Sequence, residues 1–451
     1  MNEILGSIWW LAVTLGLLIT FHEFGHYWVA RRVGVKVLRF SIGFGKPLWT
    51  HVGRDGTEYV IAAVPLGGYV KMLDAREDEV PADQRAHEFT AQPVLARMAI
   101  VAAGPFFNFI FAVAAFWAML VVGKPDYLPI VGAAQGLAAQ AGVQAGDRLL
   151  RIDGTKVQSW SGAALALADA VGARAPTRIE VRTPAGTQRA LTLPLQDIPA
   201  ALGTDQAMLR IGLVPRQMLI PPVLGKILPD SAAAAAGLRP GDRIVAIAGQ
   251  PVHDWNDIVS LVHAHAGPGR VLDVRVLRDG KTLDFATHPR LSTLGDGKPE
   301  WLLGVSPAPY EARYDTVQRA NPLAAIPQAV AETWRLTAQT MTMLGRMLTG
   351  QSSLKNISGP ISIAQYANTS ADLGPAWFLY FLGIVSLSLA VMNLLPIPIL
   401  DGGHLVYYLI ELVKGSPVSM RIMVAGQYLG MALLVALMGL AFYNDLLRLI
   451  S

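Results

Sequence analysis

The chain contains no cysteine. That absence excludes disulfide bonds and thiolate metal ligands, so any metal must be taken by histidine and carboxylate. Charge is scarce as well: Asp, Glu, Lys and Arg make up 16% of the 451 residues, against 52% hydrophobic residues and a mean hydropathy of +0.39. A wholly soluble protein of this length is more polar, so the composition reads as a membrane protein carrying a soluble insert. The net charge of +4 is spread out, with no basic run or interleaved aromatics. Nucleic acid is therefore not expected as a partner.

What is present is an apolar run over residues 4–30, broken by His22, Glu23 and His26. Two histidines four apart on a helix project from one face about one turn from each other. Their imidazoles can grip a single Zn²⁺, and the Glu between them is placed to act as a base on water. Residues 4–21 hold nothing more polar than Ser7, Thr14 and Thr20, and that length spans a bilayer. Ionisable groups in such a setting are costly and point to function. The run lacks a basic leader and exceeds a signal-peptide core in length, so it is expected to be retained.

Four stretches are long enough to span: residues 4–30, 98–122, 377–395 and 422–443. Residues 31–93 carry nine Lys or Arg, whereas the short outer flanks hold little beyond Lys124 and Arg448. The positive-inside rule then puts 31–93 in the cytoplasm and both termini outside, with the long insert. The first and third spans run in the same direction, so Asp401 arrives at the depth of the histidine pair. It closes the stretch from Asn393 through Pro396, Pro398 and Leu400 to Gly402-Gly403. The prolines cannot continue a helix and the glycines permit positive φ, so an extended turn presenting Asp401 inward is expected. Such backbone is tolerated at depth only inside protein or beside a wet cavity. His404, three residues on, is the rival ligand.

Within 31–93, residues 35–42 and 59–64 read as strands separated by Gly43-Phe44-Gly45-Lys46-Pro47 and by Arg54-Asp55-Gly56. They form either an open edge for an incoming chain or a plain surface hairpin. In the second span Gly104-Pro105-Phe106-Phe107-Asn108 reads as a kink, with Asn108 bonding between helices. The insert repeats itself: Ala141 to Gly154 returns as Ala236 to Gly249, an offset of 95 residues. That spacing means two small domains, not a solenoid. Their Gly-Asp pattern is similar to the bacterial PDZ signature. Ile130-Val131-Gly132 and Val223-Leu224-Gly225 then stand where backbone N–H groups of such domains take a chain terminus, with structural spacing as the alternative. Asn321-Pro322 opens a helix over 321–349 with a broad apolar face, ended by Ser358-Gly359-Pro360-Ile361.

The whole chain resembles a site-2 protease of the bacterial regulator-of-sigma-E type, on His22-Glu23-x-x-His26, Gly43-Phe44-Gly45, Gly104-Pro105-x-x-Asn108, the tandem repeat, and Asn393-x-x-Pro396-x-Pro398-x-Leu400-Asp401-Gly402. The fold class implied is a polytopic α-helical membrane protein: four transmembrane helices, a membrane-associated β-hairpin or sheet, and two periplasmic PDZ domains. The domain frame is 1–30 first span, 31–93 β region, 94–123 second span, 124–218 and 219–310 the PDZ pair, and 311–374 a periplasmic amphipathic helical region. Beyond it come 375–403 third span, 404–421 cytoplasmic loop, 422–445 fourth span and 446–451 tail.

The resemblance implies one Zn²⁺ per chain on His22, His26 and Asp401, with Glu23 as base. Asn393, with Gly43, Phe44 and Gly45, would engage substrate or oxyanion. The implied substrate is a single-span membrane protein such as an anti-sigma factor, already cut by another protease, or a remnant signal peptide. The implied setting is the lipid of the bacterial inner membrane, with the active site near its cytoplasmic side, the PDZ pair acting as a size filter, and the chain a monomer.

Overall fold

The computed structural model describes residues 3–76, 79–199, 204–293, 299–349 and 358–450. Parts of the helical region expected over 311–374 and the end of the tail over 446–451 fall outside these residues. The chain forms two compact units, one built from residues 1–125, 199–204 and 317–451, the other from 126–198 and 205–316.

The first unit is helical. Its helices are α1 (Glu3–Val33), α2 (Val94–Val122), α3 (Pro322–Leu348), α4 (Pro360–Asp372), α5 (Pro375–Leu394), α6 (Asp401–Lys414) and α7 (Met420–Ile450). Four of them, α1, α2, α5 and α7, are long and apolar enough to cross a bilayer, with mean hydropathies of 1.8 to 2.1 over their best windows. Small residues bring the spans together. Gly25 of α1 lies on the backbone of Ala103 in α2, where a Cβ would stand 2.5 Å from the carbonyl oxygen. Gly383 of α5 receives the Phe116 ring in the same way. Leu18, Phe111, Ala115 and Leu382 fill the space where α1, α2 and α5 meet.

Residues 31–93, expected as a membrane-associated hairpin or sheet, form a sheet. Two long antiparallel strands, β1 (Val37–Val52) and β2 (Glu58–Met72), each bend in the middle. Gly43 and Gly45 turn β1 with φ of 90° and 87°, a region only glycine enters without strain. Tyr59, Val60 and Ile61 therefore have partners on both sides: Phe40 and His51, Ser41 and Thr50, Ile42 and Trp49. Ser41 in turn lies between Val60 and Tyr69. The result is a four-segment sheet in the order 68–72, 37–42, 58–62, 47–52. Residues 59–62 are interior, so they offer no open edge; the edge strand beside α1 is 68–72. Tyr27, Ala30, Val37, Phe40, Phe89, Ile100 and Tyr408 bury the sheet against the helices.

The loop expected over 404–421 is mostly the helix α6. Gly402 and Gly403 are helical, not positive in φ. Their lack of a side chain instead lets the start of α6 press on the backbone of Leu395 and Ile397. The Ser358-Gly359-Pro360 break begins α4, whose N-terminal amides are capped from the far end of the chain. The Asp445 carboxylate accepts from the N–H of Gly359 (2.9 Å), Ile361 (2.9 Å) and Ser362 (3.1 Å) and from the Ser362 hydroxyl (2.6 Å).

In the second unit the sequence repeat becomes a repeat of topology. Two four-stranded antiparallel sheets share one strand order: Thr155–Lys156, Arg148–Ile152, Pro176–Arg182, Gln188–Pro194, and then Gln250–Pro251, Arg243–Ile247, Leu272–Arg278, Lys281–Thr287. Each carries a helix, Trp160–Ala173 or Trp255–His265, after its short second strand. The Gly-Asp pairs have the same job in both. Gly146 and Gly241 take positive φ, and the following Asp accepts from the N–H three residues back, Gln144 for Asp147 and Arg239 for Asp242. Arg189 and Arg278 from later strands neutralise these buried carboxylates at 2.8 and 2.6 Å.

Candidate metal centre

The fold brings the three expected ligands to one point. His22 and His26 share a face of α1, and Asp401 is the first residue of α6, after the helix of the third span has stopped at Leu394. The two Nε2 atoms are 3.2 Å apart; Asp401 Oδ2 lies 3.1 Å from Nε2 of His22 and 3.6 Å from Nε2 of His26. Among the described residues this is the one such group of histidine and carboxylate, and His404 is not part of it.

These separations fit a zinc ion. Bonds of ~2.0–2.1 Å in a tetrahedral site place ligand atoms ~3.3–3.4 Å apart, the spacing found here. The chemistry of the donors agrees. Nδ1 of His26 meets the carbonyl oxygen of Ile100 at 2.8 Å, and because a carbonyl only accepts, Nδ1 carries the proton and Nε2 keeps its lone pair. Asp401 Oδ2 is buried with no hydrogen bond assigned to it, its nearest polar neighbours being the two imidazole nitrogens themselves, and a cation between the three would satisfy all of them.

The remaining residues were only partly foreseen. Glu23 points into a cavity of about 230 Å³ whose walls include His26, Val70, Met72 and Asp401. The backbone amide of Val70, on the edge strand, faces its carboxyl. Asp74 and Arg76 also border the cavity, joined at 2.5 Å. Burial pushes the Asp74 carboxyl up, but the Arg76 guanidinium outweighs it and holds the carboxyl below its usual range.

Gly104, read from sequence as part of a kink, lies directly on the imidazoles: a Cβ there would overlap Nε2 of His26 and stand 2.7 Å from Cε1 of His22. Asn108, read as bonding between helices, places its amide 3.2 Å from Nδ1 of His22. A glycine and an asparagine four apart in an otherwise apolar span were the available signal for both.

Other expected site residues are not gathered there. Phe44 stacks on Tyr69 (6.2 Å, 10° between planes) and is half exposed, with Gly43 and Gly45 serving the bend. Asn393 is half-buried at the end of α5, with no side-chain hydrogen bond to a described residue. In the second unit the segments expected to form grooves bond within the chain. The N–H groups of Ile130 and Val131 donate to Leu128 and Asp147, and those of Val223 and Leu224 to Pro221 and Asp242. Strands Leu213–Pro215 and Val305–Pro307 pair alongside. Gly132 is packed on Arg216 and Leu219, and Gly225 on Pro307. These bonds occupy four of the amides expected to take a chain terminus.

A helix-borne histidine pair, a carboxylate from a distant helix and a glutamate in the adjoining cavity are the groups that a metallopeptidase would need at one place. The model of Peptidase family M50 matches residues 10–437, and the chain belongs to that family. Its relatives share its full length. It is 49% identical to the "Putative zinc metalloprotease" of Xylella fastidiosa (strain Temecula1) over 99% of this chain and 100% of that one. It is 44% identical to the regulator of sigma-E protease RseP of Escherichia coli (strain K12), again over 99% and 100%. Protease RseP of Yersinia pestis is 43% identical over all of both chains. The protein is a zinc metalloprotease.

Proposed function

We propose that the protein cleaves a peptide bond within the membrane-spanning segment of a single-span membrane protein, with one Zn²⁺ held by His22, His26 and Asp401. The observation that carries this reading is the meeting of these three side chains, from two helices far apart in sequence, at zinc-ligand spacing. When bound, Zn²⁺ supplies Lewis acidity toward the scissile carbonyl and makes water a nucleophile at neutral pH. Glu23, facing the Val70 amide, takes the proton from water and returns it to the leaving amine. Asn393, whose side-chain amide makes no bond to a described residue, is assigned to the substrate backbone or the oxyanion.

A helical substrate hides its carbonyls in its own hydrogen bonds and must unwind to be cut. The edge strand 68–72 borders the cavity on which Glu23 opens, so the unwound segment pairs there as an added strand. The bend at Gly43-Phe44-Gly45 shapes that sheet. The repeats of the second unit are read as PDZ domains on the periplasmic side, acting as a size filter that favours substrates already shortened by another protease. The site then lies toward the cytoplasmic side of the bacterial inner membrane. An anti-sigma factor or a remnant signal peptide is the substrate class that fits.

Glu23→Gln tests the reading. The variant should keep its zinc, lose about 10²–10⁴-fold in cleavage and retain substrates for identification by mass spectrometry. Undiminished cleavage, or capture of no membrane segment, would refute it.

A further inference from the structure

Helix α2 supplies a partner to the outer nitrogen of each imidazole. For His26 that partner is the backbone carbonyl of Ile100, which fixes the proton on Nδ1 and turns the Nε2 lone pair inward. For His22 it is the side-chain amide of Asn108, two turns further on, and an amide presents either a donor or an acceptor. With its nitrogen toward Nδ1, the amide donates, so neutral His22 must carry its proton on Nε2, where no metal could bind. The Asn108 oxygen is then buried with no donor in reach. Exchanging the two ends of the amide by a half-turn about its last torsion costs no change of shape. The oxygen then accepts Nδ1–H of His22, and the Nε2 lone pair faces Asp401 and His26.

We propose that Asn108 is a positioning residue for the metal centre: its amide oxygen accepts Nδ1–H of His22 and fixes the one tautomer that can bind zinc. Its own placement is rigid. Asn108 is fully buried, and the Ser386 hydroxyl of α5 donates to its backbone oxygen at 2.8 Å. The two imidazoles are thus oriented alike from one helix, by a main-chain carbonyl and by a side-chain carbonyl. The inference rests on the three-ligand zinc reading and adds the donor–acceptor sense of a fourth residue.

The test uses the full-length protein in detergent, with zinc affinity measured by competition against a chelator and thermal unfolding of the metal-free form as a check on folding. Asn108→Leu removes the acceptor and should lower zinc affinity about 10–100-fold. Asn108→Asp keeps an acceptor and should restore affinity to within about threefold of the original. Leu affinity equal to the original, or Asp affinity as low as Leu, overturns the assignment.

A second measurement needs no variant. In the metal-free original labelled with ¹⁵N-histidine, Nδ1 of His22 should carry a proton, and an unprotonated Nδ1 taking a hydrogen bond from the Asn108 amide overturns the proposal even if the variants misfold. An original chain that takes up no zinc at all would remove the metal centre itself, a result distinct from either outcome for Asn108.

Discussion

Gly104 stands face to face with His26, its missing side chain leaving the room in which Nε2 of that histidine sits. Substitution by alanine would drive a methyl group into both ligand rings, because the contact is to side chains held on a helix and not to a flexible tip. Gly104→Ala should therefore lose most bound zinc, read by metal analysis of the purified protein, and lose cleavage with it. Gly345→Ala, on the open face of α3 where an added Cβ meets nothing, should leave zinc unchanged. Full zinc content in Gly104→Ala would place the ion elsewhere.

Backbone direction along the edge strand gives a second prediction. The N–H of Leu73 bonds inward to Lys36, so by the two-residue period those of Val70 and Met72 face away from β1. Met72→Pro deletes one outward donor. Losing a hydrogen bond of about 1–1.5 kcal/mol from the transition state should slow cleavage roughly tenfold. Zinc content should not change, and Met72→Ala controls for the side chain. An unaltered rate in the proline variant would argue against strand addition.

Acid sensitivity is expected in the second repeat. Burial pushes the Asp242 carboxyl up, but the bonds from Arg278 and from the Arg239 amide prevail, and it ionises below its ordinary value. A carboxyl depressed in the folded state contributes stability above its unfolded value of about 3.9, and that contribution drains away as the pH falls through the lower, folded value. Arg278→Gln should lower the thermal midpoint at pH 7. The gap from the original should close as the pH is brought below about 4. A gap that persists in acid would assign the loss to the Arg278 guanidinium lying over the Phe285 ring instead.

The tie between the last helix and α4 is open to a similar experiment. Asp445→Leu strands three amides and a hydroxyl without their acceptor, and each such loss costs about 1–3 kcal/mol. Thermal unfolding in detergent should show a clear drop, smaller in Asp445→Asn, which keeps one acceptor. Equal midpoints for all three would mean that water replaces the cap.

The candidate ligands were legible because charge in an apolar run is conspicuous, and because histidines four apart share one face of a helix. The proline-broken end of the third span was legible for the same local reasons. The sheet was not. Which half of β1 meets which half of β2 is decided by pairings between residues up to 35 apart, such as Val37 with Met72, and no local pattern carries that register. The edge at Val70 and Met72 therefore stayed hidden while residues 59–64 looked equally suitable. Asn108 was visible as a polar residue in a span, but its partner depended on how α2 crosses α1. The repeat was plain in sequence, and only the hydrogen bonds showed that Val131 and Leu224 have no amide to spare.

Helix α6 is clamped at its far end as well as at the ligand. Arg97, in the first turn of α2, grips Glu411 with two parallel bonds of 2.8 and 3.1 Å, both side chains nearly enclosed, while the Tyr408 ring lies 5.0 Å beneath the guanidinium. Asp401 thus remains within reach of α1 whether or not an ion is there to hold it. Groups drawn from positions nearly four hundred residues apart are thereby preassembled, and an ion entering between them would meet little entropic penalty.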